Sequence, residues 1–306
     1  LIGKIIISLI KKEKMVKTDF SNSKISKLLK NKIILITGGA GSVGSALAKK
    51  MLDFDVKQVR IIDINEHALF QVKRKLNDPR LRVLFGNITD SQRLEIAGKN
   101  VDIIIHAAAL KNIEITEFNA MDTININVNG TVNMINMAIK NEPKIFLNIS
   151  TDKAADSSTI YGTTKDLGEK ITTWARIHFQ DTKFASVRFG NVIETRGNVF
   201  EVWQKENDAG KPLSITDPNM KRYFFHIDEA VNFVLECLTK IKCGSIFIPK
   251  MKSYKIKELA EKISKKHKVI GLRPGEKMEE VLITDEEKKN ASEEKVAPYL
   301  EKRKNK

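Results

Sequence analysis

The sequence predicts an α/β chain: a doubly wound parallel sheet followed by a smaller portion laid over it. Three observations lead there. From Lys32 onward, short apolar runs of strand length alternate with helical patterns, and a glycine-rich turn joins the first run to the first helical stretch. Beyond about residue 191 the alternation loosens, with Pro212 and Pro218 interrupting it. A chain of 306 residues with 42% hydrophobic content can bury a substantial core. The expected division is a leader without required structure over 1–31, a sheet domain over 32–190 and a smaller portion over 191–300.

The formal net charge is +15. Its lysines are spread along the chain with no zinc pattern, recognition helix or aromatic-basic array, which argues against nucleic acid as the partner. The charge fits a solvated surface that also steers an anionic ligand inward. Cys237 and Cys243 lack metal spacing, so structural thiols in a reducing cytoplasm are expected, and no metal site. Leu1–Ile10 is mostly apolar but too short to cross a bilayer, so no membrane span is expected. With Met15 just downstream, an over-extended start accounts for it as well as a surface contact does.

Taken in order, Ile33–Ile36 reads as a strand running into Thr37–Gly44, with Gly38, Gly41 and Gly44 spaced Gly-x-x-Gly-x-x-Gly around Ser42 and Val43, then a helix from near Ser45. Such a turn lets backbone approach a pyrophosphate and seats it on a helix N-terminus, the Rossmann-like arrangement. Val59–Ile62 ends in Asp63. A carboxylate there accepts both ribose hydroxyls of NAD and repels the extra phosphate of NADP; alternatively, Asp63 caps the Glu66–Leu76 helix. Val83–Phe85 leads into Asn87 and Ile88, placed beside the adenine. Val101–Ile105 opens into His106–Lys111, where the small Ala107 and Ala108 suit close passage of backbone past a ligand, and His106 reads as packed. Asn127 falls in a helical pattern from Ala120 to Lys140 and would hold backbone near the central strands.

The buried run Ile145–Ile149 delivers Thr151, Asp152 and Lys153 to a strand's carboxyl end, where open α/β sheets bind ligands. Tyr161 and Lys165 share a helix face. An ammonium beside a phenol favours the phenolate, a base near neutral pH, although Tyr-x-x-x-Lys also arises by accident on helix surfaces. Phe184–Arg188 reads as a sixth strand, followed by Asn191, and a short strand is expected near Ser245–Ile248. Arg222 and Arg273 suit bidentate holding of a diphosphate, or else pair with nearby glutamates. The charged tail from Asp285 is expected to end in disorder at Glu301–Lys306.

Together, Thr37–Gly44, His106–Lys111, Ser150–Ala154, Tyr161–Lys165, Arg188–Val192 and Gly271–Lys277 resemble the extended short-chain dehydrogenase/reductases. Within them the sequence is similar to the UDP-N-acetylglucosamine 4,6-dehydratases and related polysaccharide biosynthesis proteins, over about Lys32 to Thr284. Ser-Thr-Asp-Lys-Ala, at Ser150–Ala154, is the most specific part: 4-epimerases of the wider superfamily usually lack the Asp-Lys pair. Tyr161, where membrane-anchored relatives often carry Met, and Gly-Leu-Arg-Pro-Gly-Glu-Lys point to the short inverting subgroup.

The resemblance implies a recycled NAD, with NADP possible, held by Gly38, Gly41, Ser42, Val43, Gly44, Asp63, Asn87, Ile88, Ala107, Ala108, Lys111, Tyr161 and Lys165. It implies a UDP-hexosamine contacted by Asn191, Arg222, Arg273 and Glu276, with 191–300 as the UDP-sugar-binding portion of a cytoplasmic homo-oligomer. In the implied chemistry Tyr161 takes the C4 hydroxyl proton, Thr151 binds the sugar oxygen, a neutral Lys153 takes the C5 hydrogen and Asp152 protonates the departing C6 hydroxyl. Glu194 and Phe200-Glu201 depart from the usual pattern and bear on pocket shape. Two rival readings are a UDP-sugar 4-epimerase, which needs Tyr161 and Lys165 but not Asp152 and Lys153, and a basic binding protein on a Rossmann scaffold.

Overall fold

In the computed structural model of the chain, residues 22–241 and 246–290 are described. The expectations for Leu1–Ile10, Cys243 and Glu301–Lys306 lie outside the described residues. Six strands carry the first half: β1 (Ile33–Thr37), β2 (Gln58–Asp63), β3 (Leu81–Phe85), β4 (Ile103–His106), β5 (Ile145–Thr151) and β6 (Lys183–Phe189). Six more follow among the described residues, most of them short: β7 (Asn191–Val192), β8 (Leu213–Ile215), β9 (Lys221–Phe225), β10 (Ile246–Phe247), β11 (Lys252–Lys255) and β12 (His267–Val269).

The main sheet has the order β10-β6-β5-β4-β1-β2-β3, and all its pairings are parallel. Helices cover both of its faces, so β1, β4 and β5 are buried along their whole length and consist largely of Ile, Leu and Phe. One face packs Leu47, Met51, Val234 and Leu235 against the sheet, and the other packs Leu94, Met134, Ile135 and Met137. The strand order reverses between β1 and β4, which opens a crevice at the carboxyl ends of the strands. The Glu66–Leu76 helix has the predicted bounds, because Asn65 caps its start and the left-handed Asn77 ends it, donating its N–H to the Lys73 carbonyl.

Several boundaries differ from the sequence expectation. Residues 22–29 form a helix, with Ile25 and Leu29 buried in the main core, so this part of the expected leader belongs to the folded sheet domain. The first helix of the sheet domain begins at Ser42 rather than Ser45. The Ala120–Lys140 helical pattern contains a π-helical turn at Asn125–Asn129, with α-helix on either side. The division at residue 190 is not a spatial one: the Ile227–Lys240 helix packs into the main core and β10 extends the main sheet. What lies over the crevice is a separate cluster of Phe200, Trp203, Phe224 and Ile256, with the β11-β9-β7 and β12-β8 sheets.

Candidate active site

β1 ends at the glycine turn. Gly38 has φ of 63°, and a Cβ there would lie 2.8 Å from the Ala108 Cα; a Cβ on Gly44 would run into the Gly38 carbonyl. Gly41 precedes the Ser42–Leu52 helix without a side-chain cap, so the first helical N–H groups face the turn unoccupied by side chains. Ala107 and Ala108 close the other side, their N–H groups donating to Thr37 Oγ1 at 3.1 Å each. Asp63 accepts from Ala40 N and Asn65 N, both at 3.0 Å, while Asn65 caps the following helix. The capping alternative for Asp63 therefore falls away: its half-buried carboxylate ties β2 to the glycine turn.

Arg196, which the sequence reading passed over, arches across this turn. Its N–H donates to Ser42 Oγ at 3.0 Å, its guanidinium donates to the Ala40 carbonyl, and its own carbonyl accepts from Lys111 Nζ at 3.4 Å. Burial, with Arg196 adding like-charge repulsion, lowers the Lys111 pKa. Val43 packs against the core. Asn87 Oδ1 accepts from Thr89 N at 3.0 Å. The Ile88 side chain is buried against Gly130 and belongs to the core.

The second cluster starts where β5 ends. Thr151 leads into a single 3-10 turn, Asp152–Ala154, that leaves Asp152 fully buried. Asp152 Oδ1 accepts from Thr151 Oγ1 and Lys153 Nζ, each at 3.0 Å. Its Oδ2 has no hydrogen-bond partner among the described residues and faces Gly190, which has no side chain to fill that space. Lys153 Nζ also lies 3.7 Å from Glu280 Oε1. Burial works against the Lys153 charge, but Asp152 and Glu280 more than offset it and raise the pKa. The expected neutral lysine is thus an ammonium between two carboxylates.

Tyr161 opens the Ile160–His178 helix, whose start is fixed twice: Thr159 Oγ1 accepts from Gly162 N at 3.0 Å and Glu117 Oε1 from Ile160 N at 2.7 Å. Burial raises the phenol pKa; Lys153 and a hydrogen bond with Thr151 oppose this without overcoming it. Lys153 is the cation that opposes the effect of burial on the phenol. Lys165 is buried, and desolvation lowers its pKa to about 8 against the pull of Glu169. His106 is packed, as read: Thr37 Oγ1 and Thr131 Oγ1 flank its ring nitrogens at 2.7 and 3.1 Å, and burial, then Lys165, lowers its pKa to about 3. Asn127, in the π-helical turn, clamps both backbone groups of Leu110 and donates to Thr164 Oγ1.

The C-terminal portion meets this cluster from the side. Asn191 Nδ2 donates to the Tyr223 carbonyl at 3.0 Å. Arg222 is buried and donates to the carbonyls of Lys221 and Lys277, at 2.8 Å each, and Met278 at 3.3 Å, with Glu276 at 3.7 Å. That corrects one expectation: the Arg222 guanidinium holds the Gly271–Lys277 loop instead of standing free for a diphosphate. Arg273 is exposed, and its N–H donates to Glu276 Oε2 at 3.1 Å. The loop docks beside the Asp152–Ala154 turn, where Lys277 Nζ binds Asp156 Oδ2 at 2.6 Å and Ser158 Oγ donates to the Gly275 carbonyl at 2.8 Å.

Glu280, like Arg196, escaped the sequence reading, since a lone Glu carries no local signal of a partner so far away in the chain. Arg188 enters the sequence reading only as the start of a motif, without its partners: it grips Glu169 and Glu287 with paired hydrogen bonds of 2.6–3.0 Å and also binds the Leu282 carbonyl.

A glycine turn at the reversal of a parallel sheet, with a Tyr-x-x-x-Lys helix beside the strand ends, defines a short-chain dehydrogenase/reductase fold. The chain belongs to the polysaccharide biosynthesis protein family, whose profile matches residues 34–300. A Methanocaldococcus jannaschii protein described as an uncharacterized membrane protein is 40% identical, covering 88% of this chain and 85% of that one. The UDP-N-acetylglucosamine 4,6-dehydratase (inverting) of Campylobacter jejuni is 36% identical over 85% of this chain and 80% of its own length. A UDP-glucose 4-epimerase of Rickettsia canadensis is 33% identical, covering 86% and 81%. Among solved structures, Pen from Bacillus thuringiensis matches with a TM-score of 0.80 and 32% identity over 84% of both chains. The chain is thus an enzyme of the nucleotide-sugar branch of this superfamily. Among the described residues, no helix is long and apolar enough to cross a membrane, and no group of three or more His, Cys, Asp or Glu side chains is placed to hold a metal ion.

Proposed function

We propose that the protein is a UDP-N-acetylglucosamine 4,6-dehydratase that inverts C5 and works with a resident NAD. The observation that carries this reading is the convergence of Thr151, Asp152, Lys153 and Tyr161 in one hydrogen-bonded and charge-coupled group. An epimerase needs Tyr161 and Lys165 but no further acid and base; a buried carboxylate with an unpartnered oxygen beside a lysine supplies the pair that water loss requires.

The glycine turn and Asp63 fit a dinucleotide: a Cβ at Gly38 or Gly44 would collide with the cradle itself, leaving room only for bare backbone. Gly38, Gly41, Ser42, Val43 and Gly44 would hold the pyrophosphate with Lys111, Asp63 the ribose hydroxyls, and Asn87, Ala107 and Ala108 the remaining edge. NAD supplies an acceptor for the C4 hydride and returns that hydride at C6, so no net oxidation occurs. Arg273, Glu276 and Asn191 would contact the UDP-sugar.

Tyr161 acts from its phenolate form, which burial disfavours and the Lys153 charge supports; having released its own proton to solvent, it takes the proton of the C4 hydroxyl, with Thr151 orienting that oxygen. The new ketone acidifies the C5 hydrogen. Lys153 reaches its base form by passing its proton to Asp152 across the 3.0 Å hydrogen bond. The neutral amine then takes the C5 proton, and protonated Asp152 gives its own to the departing C6 hydroxyl as water. Both residues return to their resting charges. The proton returned to C5, from the opposite face, balances the one that Tyr161 took from O4.

Incubation with UDP-N-acetylglucosamine and mass spectrometry of the product tests this. Loss of one water is expected; an isobaric product would instead support the epimerase reading, which the 33% identical relative keeps in view. Purified protein should retain NAD over NADP, and a preference for NADP would remove Asp63 from its role.

A further inference from the structure

Glu280 is buried, with 6% of its side chain exposed, and its carboxylate stands 3.7 Å from Lys153 Nζ. A buried carboxylate aimed at the base is not an accident of a loop, because the segment carrying it is fixed on both sides. Lys221 N donates to the Met278 carbonyl at 2.8 Å, and Lys221 bridges to Glu279, so residues 278–280 run alongside the start of β9. Extended backbone alternates its side chains. Glu279 accordingly faces out, pairing with Lys221 at 2.6 Å, and Glu280 faces in. Arg222 grips the Lys277 and Met278 carbonyls before it, and Arg188 grips the Leu282 carbonyl after it.

We propose that Glu280 is a positioning residue that sets the basicity of Lys153. This rests on the reading of Lys153 as the C5 base and assigns how that base is tuned. The groups facing Lys153 are Asp152 from its own turn, Tyr161 from the following helix and Glu280 from the C-terminal segment. Asp152 must accept and release a proton during the reaction, so it cannot stabilise the ammonium throughout. Glu280 can: it stabilises the ammonium formed as the C5 proton is taken, and thereby strengthens the base. A carboxylate within about 4–6 Å typically moves such a pKa by 1–3 units.

The test uses the full-length enzyme labelled with [ε-13C]lysine, with Lys153→Arg to assign the resonance. Glu280→Gln, which keeps the side-chain size, should move the Lys153 titration midpoint to lower pH by about one unit or more. In turnover, the midpoint of the pH dependence of water loss should move the same way, and the high-pH plateau should fall because a weaker base removes the C5 proton more slowly. Glu280→Asp, which retracts the charge, should show a smaller shift of the same sign and serves if the Gln variant does not fold. An unchanged Lys153 midpoint in folded Gln or Asp variants overturns the assignment, as does a rate loss equal at every pH. If the wild-type enzyme removes no water, the dehydratase reading fails, while the lysine titration still decides whether Glu280 sets the Lys153 charge.

Discussion

The glycine turn at the end of β1 and the Gly271–Lys277 loop both offer groups suited to phosphate, but they are built in opposite ways. The turn is made of backbone: Gly38 and Gly44 pass so close to neighbouring main chain that a single methyl would collide, and the Thr37 hydroxyl and Asp63 carboxylate satisfy the surrounding N–H groups. The loop is held by side chains. Arg222, Lys277 and Ser158 fasten it to its neighbours, Arg188 fastens the segment beyond it, and Gly271 has nothing within 4 Å of a built Cβ. A site made of close-packed backbone is preformed, whereas one made of ion pairs can be loosened one contact at a time. On the proposed function, the same contrast would separate a dinucleotide that stays bound from a sugar nucleotide that must come and go.

The largest effect expected from breaking this contrast is chemical. Tyr161→Phe should cut turnover by about 10²–10⁴-fold by removing the proton acceptor while leaving the fold intact, as read by product mass spectrometry and circular dichroism. Lys153→Ala should keep UDP and cofactor binding but stop water loss. Normal dehydration by Lys153→Ala would count against the proposed base.

Arg188→Ala comes next. It would leave Glu169, only 2% exposed, buried without its partner, and should cost about 3–5 kcal/mol in a urea unfolding series while exposing residues beyond 276 to protease. Stability equal to wild type would show that the C-terminal segment is held otherwise.

The two glycines give a direct contrast. Gly44→Ala should cost about 1–3 kcal/mol and lower the retained dinucleotide, because the Cβ meets backbone that cannot yield. Gly271→Ala, at φ of 83° in open space, should cost only about 1 kcal/mol and leave retention unchanged.

The smallest effect is one of pH. Burial raises the Glu287 carboxyl, but Arg188 and the Thr284 groups outweigh it and hold the pKa below its ordinary value near 4.5. A depressed carboxyl stabilises the fold above its unfolded pKa, and that contribution is lost as pH falls through the folded value. The C-terminal segment should therefore become protease-sensitive below about pH 4.5, before the sheet unfolds. Simultaneous loss of both would show that the two regions are one cooperative unit.

Much of this molecule was legible from local pattern. The six strands of the first half, the Glu66–Leu76 helix, the glycine turn and the position of Thr151–Lys153 at a strand end follow from apolar runs and turn residues, whose causes lie within a few residues of their effects. The errors have a common origin. Asn22–Leu29 looks like a polar leader because only Ile25, Leu28 and Leu29 reach the core, and Arg222 looks like a free phosphate ligand because two of the carbonyls it binds lie more than fifty residues away.

By itself, then, the order of amino acids determined the parallel sheet, its ligand-binding edge and the residue types brought there, since strand burial, backbone clearance and helix starts are short-range matters. Only the folded chain decided that Lys153 sits as an ammonium between Asp152 and Glu280, that Asp152 is fully buried, and that Arg222 is spent on a loop. Charge and protonation depend on what stands within a few ångströms in space, and in this protein those neighbours come from distant parts of the chain.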